Sequence, residues 1–138
     1  MIIGVSACLL GENCKYNGGN NCSEKVREYI KGHTVVPVCP EVMGGLPTPR
    51  DPAEIIGGVV RQKSGRSVDK EFRAGARAAL QKVKDAGADM VILQSRSPSC
   101  GVREIYDGSF SGRLVKGKGI FAAMLEEEGI RAVDVEAL

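Results

Sequence analysis

Residues 89–101 read DMVILQSRSPSCG, in which a continuous apolar run is followed by a turn that carries a cysteine. The run Met90 to Leu93 does not alternate apolar and polar side chains, which is typical of a parallel strand covered on both faces. Pro98 and Gly101 mark the segment that follows as a turn. The stretch therefore predicts a buried strand with Cys100 just beyond its carboxyl end.

Two earlier segments repeat this arrangement. The apolar run Ile2 to Ala7 is followed by Cys8, and the run His33 to Val38 is followed by Cys39. Pro37 lies within the second run and argues against a central, fully paired position for that strand, because proline cannot donate a ladder hydrogen bond. Three cysteines are thus predicted at equivalent places, each after a different strand.

Helical patterns separate these strands and predict the fold class. Apolar side chains recur at three- and four-residue steps in three segments, and a last apolar run follows the third. These are the predicted helices Glu24 to Lys31 (with Ser23 as N-cap), Asp69 to Ala86 and Gly119 to Glu128, and the predicted strand Ile130 to Val135. The alternation predicts a three-layer, Rossmann-like α/β fold with a mostly parallel sheet, formed by residues 1–138 as a single domain.

Three further segments interrupt this alternation. Pro40 to Pro52 contains four prolines and a Gly pair, which predict a rigid path without regular structure. Ile55 to Arg61, with a following turn at Ser64-Gly65, is interpreted as a small hairpin. Ile105 to Val115 carries Asp-Gly and Ser-Gly turn signals and is interpreted as a second hairpin or an irregular excursion.

The topology predicts that the three strand-end cysteines meet. Ligands of parallel sheets bind outside the carboxyl ends of the strands, so Cys8, Cys39 and Cys100 are expected in one crevice. Three thiolates suit a zinc ion or a cubane iron-sulfur cluster, each with one open position. The spacing alone selects neither metal, and for any one cysteine, packing as a small buried hydrophobe is the plainer interpretation.

The other cysteines and the single histidine are weaker candidates. Cys14 and Cys22 lie in a loop rich in Gly and Asn and are interpreted as structural thiols rather than ligands. His33 opens a strand after a glycine, which favours a solvent-facing or capping role over catalysis. A nucleophile that is activated by a histidine is therefore not favoured.

Proton transfer is then expected from a carboxylate or a hydroxyl. Glu41 lies two residues after Cys39, and Ser97 and Ser99 flank Pro98 next to Cys100. We interpret Glu41 as a candidate proton donor or acceptor and the two serines as candidate substrate or relay groups. The alternatives are a surface salt bridge for Glu41 and local turn hydrogen bonds for the serines.

Composition restricts the class of protein. Of the 138 residues, 26% are charged and 43% are hydrophobic, the formal net charge is +2, and aromatic residues make up only 4%. This mild charge and the few aromatics make nucleic acid an unexpected partner and favour a small molecule. The first apolar run is too short for a membrane span and has no preceding basic region, so a cytoplasmic protein with reduced thiols is expected.

Three ordered motifs resemble one known family. They are SACLLG at residues 6–11 with Cys14 and Tyr16, VCPE at 38–41 leading to GGLPTPR at 44–50, and SPSCG at 97–101 leading to IYDG at 105–108 with Phe110 and Gly112. Together they are similar to the bacterial 2-thiouracil desulfidase family, and the similarity runs nearly from end to end.

The resemblance implies a cofactor and an activity. It implies a 4Fe-4S cluster held by Cys8, Cys39 and Cys100, with one iron free of protein ligands. That iron is expected to take the sulfur of a thiolated pyrimidine while water attacks the ring carbon and sulfide is released, in a reaction without net oxidation or reduction. One alternative is a module that binds or senses metal or sulfur with the same cysteines. Another is a metal-free thiol enzyme with Cys100 as nucleophile.

Overall fold

The computed structural model describes all residues 1–138 and contains eight strands and four helices. In chain order they are β1 (Ile2–Ser6), α1 (Glu24–Tyr29), β2 (Thr34–Val38), α2 (Pro40–Met43), β3 (Ala53–Ile56), β4 (Val59–Gln62), α3 (Asp69–Asp85), β5 (Met90–Leu93), β6 (Glu104–Tyr106), β7 (Leu114–Lys116), α4 (Ile120–Glu127) and β8 (Arg131–Asp134). The predicted helices and sheet strands are all present, with bounds that differ by one or two residues at most ends.

The central sheet has four parallel strands in the order β2-β1-β5-β8. Gly4 of β1 pairs with Val36 of β2 on one side and with Val91 of β5 on the other. From β1 the chain continues to one edge of the sheet, and from β5 it continues to the opposite edge. The crevice outside the carboxyl ends of β1 and β5 is therefore the place where such folds bind ligands.

Helices cover both faces of this sheet. Helices α3 and α4 pack on one face, and α1 packs on the other. The first core comprises Val36, Val38, Ala76, Ala79, Val83, Val91, Leu93, Cys100, Phe121, Ala122 and Leu125. The second comprises Ile3, Val5, Leu9, Val26, Met90 and Ile92. The predicted three-layer α/β fold with a parallel sheet is confirmed, and the unbroken burial of β5 explains its continuous apolar sequence.

Local sequence features explain where one helix starts and why one strand lies at the edge of the sheet. Ser23 caps α1, because its hydroxyl accepts a 3.3 Å hydrogen bond from the Val26 amide. Pro37 lies in β2, which is an edge strand, and edge strands are where proline is tolerated. No helix of the structure combines the length and the apolar character needed to cross a membrane.

The expectation that Pro40 to Pro52 lacks regular structure is wrong at its beginning, where residues 40–43 form α2. Proline is favoured in the first helical turn because its missing N–H would have no partner there. The helix packs directly on α3: a Cβ on Gly44 would lie 2.0 Å from the Glu71 carbonyl oxygen, and one on Gly75 would lie 1.7 Å from that of Pro40. The two glycines thus allow the backbones to touch.

Two hairpins complete the structure. Strands β3 and β4 pair antiparallel and are joined by Gly57 and Gly58, both with positive φ. Gly57 and Gly58 close this hairpin, because two adjacent glycines supply the left-handed geometry of a tight turn. The Ser64-Gly65 turn follows the hairpin and does not close it. The predicted second hairpin is present as β6 and β7.

Candidate active site

Three thiols converge at the carboxyl edge of the sheet, as the topology predicts. Cys8 lies in the 3-10 turn Ala7–Leu10 directly after β1, Cys39 is the N-cap of α2 directly after β2, and Cys100 lies beyond β5. All three line one cavity of about 510 Å³. Sequence positions far apart in the chain are thus brought together by parallel strands that end on one side.

Polar groups surround two of the sulfurs. The Ser6 hydroxyl lies 3.4 Å from Cys100 Sγ and that of Ser99 lies 3.6 Å from it, while Asn21 Nδ2 lies 3.8 Å from Cys8 Sγ. Ser6 also accepts a 3.0 Å hydrogen bond from the Gln94 amide, which fixes its hydroxyl between β1 and β5. Hydrogen bonds to sulfur are among the factors that tune an iron-sulfur centre.

Cys14, the first of the two loop cysteines, lies next to this group. It lines the same cavity, and its backbone carbonyl oxygen lies 4.0 Å from Cys39 Sγ. Cys22 comes from the same loop but is exposed and does not line the cavity. Composition could not separate the two, because a Gly- and Asn-rich loop has no periodicity that fixes the direction of its side chains.

The thiols differ in acidity. The hydrogen bond from Cys14 lowers the pKa of the Cys8 thiol. The hydrogen bond to Cys14 and burial together raise the pKa of Cys39 far above its usual range, and burial raises that of Cys100 to about 12. Metal binding requires thiolates, so protons must leave Cys39 and Cys100 when a metal binds.

Glu41 faces the same cavity and is held by two partners. Its Oε1 accepts a 3.2 Å hydrogen bond from Arg50 Nε, and its Oε2 accepts a 3.0 Å hydrogen bond from the Ser99 hydroxyl. The side chain of Glu41 is only 16% exposed, and that of Arg50 is only 4% exposed. The salt bridge considered for Glu41 therefore exists, but it is buried in the site and does not lie on the surface.

Arg50 is a site residue that the sequence analysis did not identify. Its Nη2 donates a 2.8 Å hydrogen bond to the Cys14 carbonyl, and its Nη1 bonds Thr48 Oγ1 at 3.0 Å and the Pro47 carbonyl at 3.3 Å. It therefore ties the Cys14 loop to the Pro-rich loop and to Glu41. The signal available in the sequence was a charged residue at the end of the rigid segment Pro47-Thr48-Pro49.

The two candidate serines have different surroundings. Ser97 Oγ accepts hydrogen bonds from the amides of Ser99 and Cys100, both at 3.1 Å, so it performs the local turn role that was its alternative. Its oxygen also lies 2.9 Å from Ser99 Oγ. Ser99 is 1% exposed and contacts both Glu41 and Cys100. The structure thus brings Ser97, Ser99 and Glu41 into one hydrogen-bonded row.

Helix α4 fixes the turn that carries these serines. The amides of Ile120 and Phe121 donate 2.9 Å hydrogen bonds to the carbonyls of Pro98 and Ser99. A Cβ on Gly119 would lie 2.4 Å from the Ser99 carbonyl carbon, so only glycine allows this approach. His33, in contrast, contacts the N-terminal amine at 2.9 Å and lies outside the cavity, in agreement with its predicted non-catalytic role.

A second wall of the cavity comes from the two hairpins and was not foreseen. Its side chains include Glu54 from β3, Tyr106 from β6 and Phe110 from the turn between β6 and β7. Glu54 is buried and accepts hydrogen bonds from the amides of Gly108 and Phe110. Hairpin patterns predict strands, but they do not say against which part of the fold a hairpin docks.

The three strand-end thiols are a donor set that fits an iron-sulfur cluster. A zinc ion needs its thiolates at about 2.3 Å from one point, whereas the thiolates of an iron-sulfur cluster bind different irons. Cys8, Cys39 and Cys100 share one cavity, so their placement suits thiolate ligands of a cluster.

Comparisons with known proteins agree with this chemistry. The sequence model of a family described as 2-thiouracil desulfurase matches residues 3–137. The uncharacterized protein YbbK of Bacillus subtilis (strain 168) is 41% identical over 144 residues, which cover 97% of this chain and 95% of YbbK. A solved structure of the 4Fe-4S-dependent thiouracil desulfidase TudS matches with a TM-score of 0.92 and 40% identity, over 99% of this chain and 91% of that chain.

Proposed function

The chain belongs to the 2-thiouracil desulfurase family, and we propose that it uses a 4Fe-4S cluster to remove sulfur from a thiolated pyrimidine. The observation that carries this proposal is the shared cavity of Cys8, Cys39 and Cys100, in which Glu41 also lies. The overall reaction replaces C=S by C=O: the thiolated base and water give the oxo base and hydrogen sulfide. No electron is gained or lost, so no external reductant or oxidant is needed.

Cys8, Cys39 and Cys100 are the proposed cluster ligands. When bound, the cluster supplies a Lewis-acidic iron that has no protein ligand and can polarise the C=S bond of the substrate. Ser6 and Asn21 hold the sulfurs of Cys100 and Cys8 through hydrogen bonds. The ligand at Cys39 is placed by α2, whose backbone is fixed on α3 through Gly44 and Gly75.

Glu41 and Ser99 are the proposed proton-transfer groups. The Glu41 carboxylate accepts a proton from the attacking water, which loses one proton as its oxygen bonds the ring carbon. Ser99 donates to Glu41 Oε2 and lies beside Cys100, so its hydroxyl can pass a proton between the carboxylate and the departing sulfur. Ser97 lies 2.9 Å from Ser99 and is the proposed second member of this relay.

Arg50 keeps this carboxylate in place. Its guanidinium bonds Oε1 of Glu41, which leaves Oε2 for Ser99 and the water. Its hydrogen bonds to the Cys14 carbonyl and to Thr48 also connect the two loops beside this carboxylate. Glu41 is thus held in one orientation while it accepts and returns a proton.

The proposed substrate is a small thiolated nucleobase, and the proposed compartment is the cytoplasm. The formal net charge of +2 is too small to attract a nucleic acid strongly. Iron-sulfur ligands must be reduced thiols, which fits a reducing compartment. We propose no nucleic acid or membrane partner.

Two alternatives are less favoured. A non-catalytic metal-binding module would not need a carboxylate held in the cavity by Arg50 and Ser99, and both the matched family and TudS carry the names of desulfurising enzymes. A metal-free thiol enzyme needs a thiolate nucleophile, whereas burial raises the pKa of Cys100 to about 12.

Anaerobic reconstitution tests the proposal. The protein should bind about four irons and four sulfides per chain and release sulfide from 2-thiouracil, 4-thiouracil or 4-thiouridine. The matched control replaces the exposed Cys22 by serine, which should leave both the iron content and the sulfide release unchanged. Full iron loading without sulfide release from any of the three compounds would overturn the proposed reaction, and the absence of bound iron would overturn the cofactor.

A further inference from the structure

We infer that Glu54 is a positioning residue that fixes Phe110 as the wall against which the planar ring of the substrate stacks. This inference rests on the proposed function, since it concerns the substrate of the same site. It assigns the recognition of an aromatic base to the two hairpins, which carry none of the three cysteines.

Glu54 clamps the turn between β6 and β7. Its side-chain oxygen Oε1 accepts hydrogen bonds from the Gly108 amide at 2.9 Å and the Phe110 amide at 3.2 Å. The residue is only 9% exposed, and a buried carboxylate is stable only when such donors compensate the loss of water. Two donors two residues apart define the conformation of the turn as well as its position.

The backbone at Phe110 requires such a clamp. Its φ is +56°, in the left-handed region that residues with a Cβ avoid. Only Arg96 shares this property among the non-glycine residues, and Arg96 lines the same cavity. Strained backbone of this kind persists where the surrounding structure enforces it, and it is concentrated at functional sites.

The turn between β6 and β7 packs directly on β3. Gly108 has a φ of +95°, and a Cβ at this position would lie 2.9 Å from the Ile55 carbonyl oxygen. The turn is therefore seated directly on β3, where Glu54 lies next in sequence. This contact holds the turn that carries Phe110 against β3.

Aromatic side chains are concentrated in the cavity. The chain has only three tyrosines and three phenylalanines, and Tyr16, Tyr106 and Phe110 all line this cavity. A flat conjugated ring gains stacking interactions with such side chains that a puckered saturated ring does not. Phe110 is the one of the three whose own amide is bound by a buried carboxylate, so its position is the most firmly set.

Calorimetric binding to the cluster-loaded protein tests the inference without depending on turnover. The probes are uracil and 5,6-dihydrouracil, which differ in the planarity of the ring. Wild type should bind uracil more tightly, and Phe110→Leu should lower this preference about fivefold, which is within the usual range for an aromatic pair. The KM for 2-thiouracil should rise by a similar factor, with kcat within about twofold.

Variants of Glu54 separate positioning from mere folding. Glu54→Leu should lose the preference as Phe110→Leu does, and Glu54→Gln should recover most of it, because the amide oxygen can still accept from the two backbone amides. Glu104→Gln, an exposed carboxylate on β6 outside the cavity, is the matched control and should behave as wild type. Iron content should be the same in all variants, and only Glu54→Leu should unfold at a lower temperature, because the amides of Gly108 and Phe110 then lack their acceptor.

The outcomes distinguish the two proposals. If wild type prefers uracil, Phe110→Leu loses this preference and wild type releases no sulfide, the proposed reaction is wrong and the assignment of Phe110 stands. If wild type releases sulfide but Phe110→Leu keeps the preference, the inference is wrong and the proposed function stands. Absence of uracil binding by wild type would overturn the inference, whereas the proposed function is decided by the release of sulfide.

Discussion

The Ser99 hydroxyl donates a 3.0 Å hydrogen bond to Glu41 Oε2 and so joins two residues that lie 58 positions apart in the sequence. Glu41 follows the cysteine at the end of β2, and Ser99 precedes the cysteine beyond β5. The contact therefore links the first turn of α2 to the turn beyond β5, next to two of the three proposed ligands.

The carboxylate of Glu41 should be required for turnover but not for cluster binding. Glu41→Gln keeps the size of the side chain but removes its ability to accept a proton, so kcat for sulfide release should fall about 100-fold or more. The visible absorbance and iron content should stay at wild-type values. Glu28→Gln, an exposed carboxylate on α1, is the control, and unchanged turnover of an iron-loaded Glu41→Gln protein would contradict the assignment.

The two serines should respond differently to replacement by alanine. Ser99→Ala removes a hydrogen bond to a charged acceptor and should lower kcat at least about tenfold. Ser97→Ala leaves the amides of Ser99 and Cys100 without their acceptor and should lower the free energy of unfolding by about 1 kcal/mol. Urea unfolding and steady-state kinetics measured on the same samples separate the two effects. An unchanged kcat in Ser99→Ala would contradict its role in proton transfer, and an unchanged kcat in Ser97→Ala would leave that serine only its structural role in the turn.

The cysteines should fall into two groups when each is replaced by serine. Cys8→Ser, Cys39→Ser and Cys100→Ser should lose most of the bound iron, because each removes one of only three ligands. Cys14→Ser should keep the iron, although Cys14 lines the same cavity, and Cys22→Ser should match wild type. Iron and sulfide analysis after anaerobic reconstitution gives the result. A loss of iron in Cys14→Ser equal to that in Cys8→Ser would make Cys14 a fourth ligand.

Gly75 should be essential for the geometry of the site, although it lies in the middle of α3. A methyl group there would lie 1.7 Å from the Pro40 carbonyl oxygen, so Gly75→Ala must push α2 away together with Cys39 and Glu41. The free energy of unfolding should fall by about 1–3 kcal/mol, and less iron should bind.

Ala78→Gly, at an exposed position of the same helix, is the control for helix propensity. It should lower the free energy of unfolding by about 1 kcal/mol and leave iron binding intact. Full stability and full iron content in Gly75→Ala would disprove the close contact between the two helices.

The sequence by itself determined the sheet and the convergence of the three thiols. The unbroken apolar run Met90 to Leu93 predicted a strand buried on both faces, and the helical periods between the strands predicted parallel pairing. Parallel strands end on one side, so Cys8, Cys39 and Cys100 were expected in one crevice. Periodicity carries this information, because it reports which faces of each element are buried.

Only the tertiary structure decided the contacts between loops. Three features of the site depend on segments without periodicity. They are the Arg50–Glu41 ion pair, the position of Cys14 but not Cys22 in the cavity, and the hydrogen bond from the Phe110 amide to Glu54. The same reason explains the missed helix α2, whose four residues are too few to show a period and whose glycine contact with α3 lies across the fold. Such contacts join residues far apart in the chain, and their geometry exists only once the core has placed the elements.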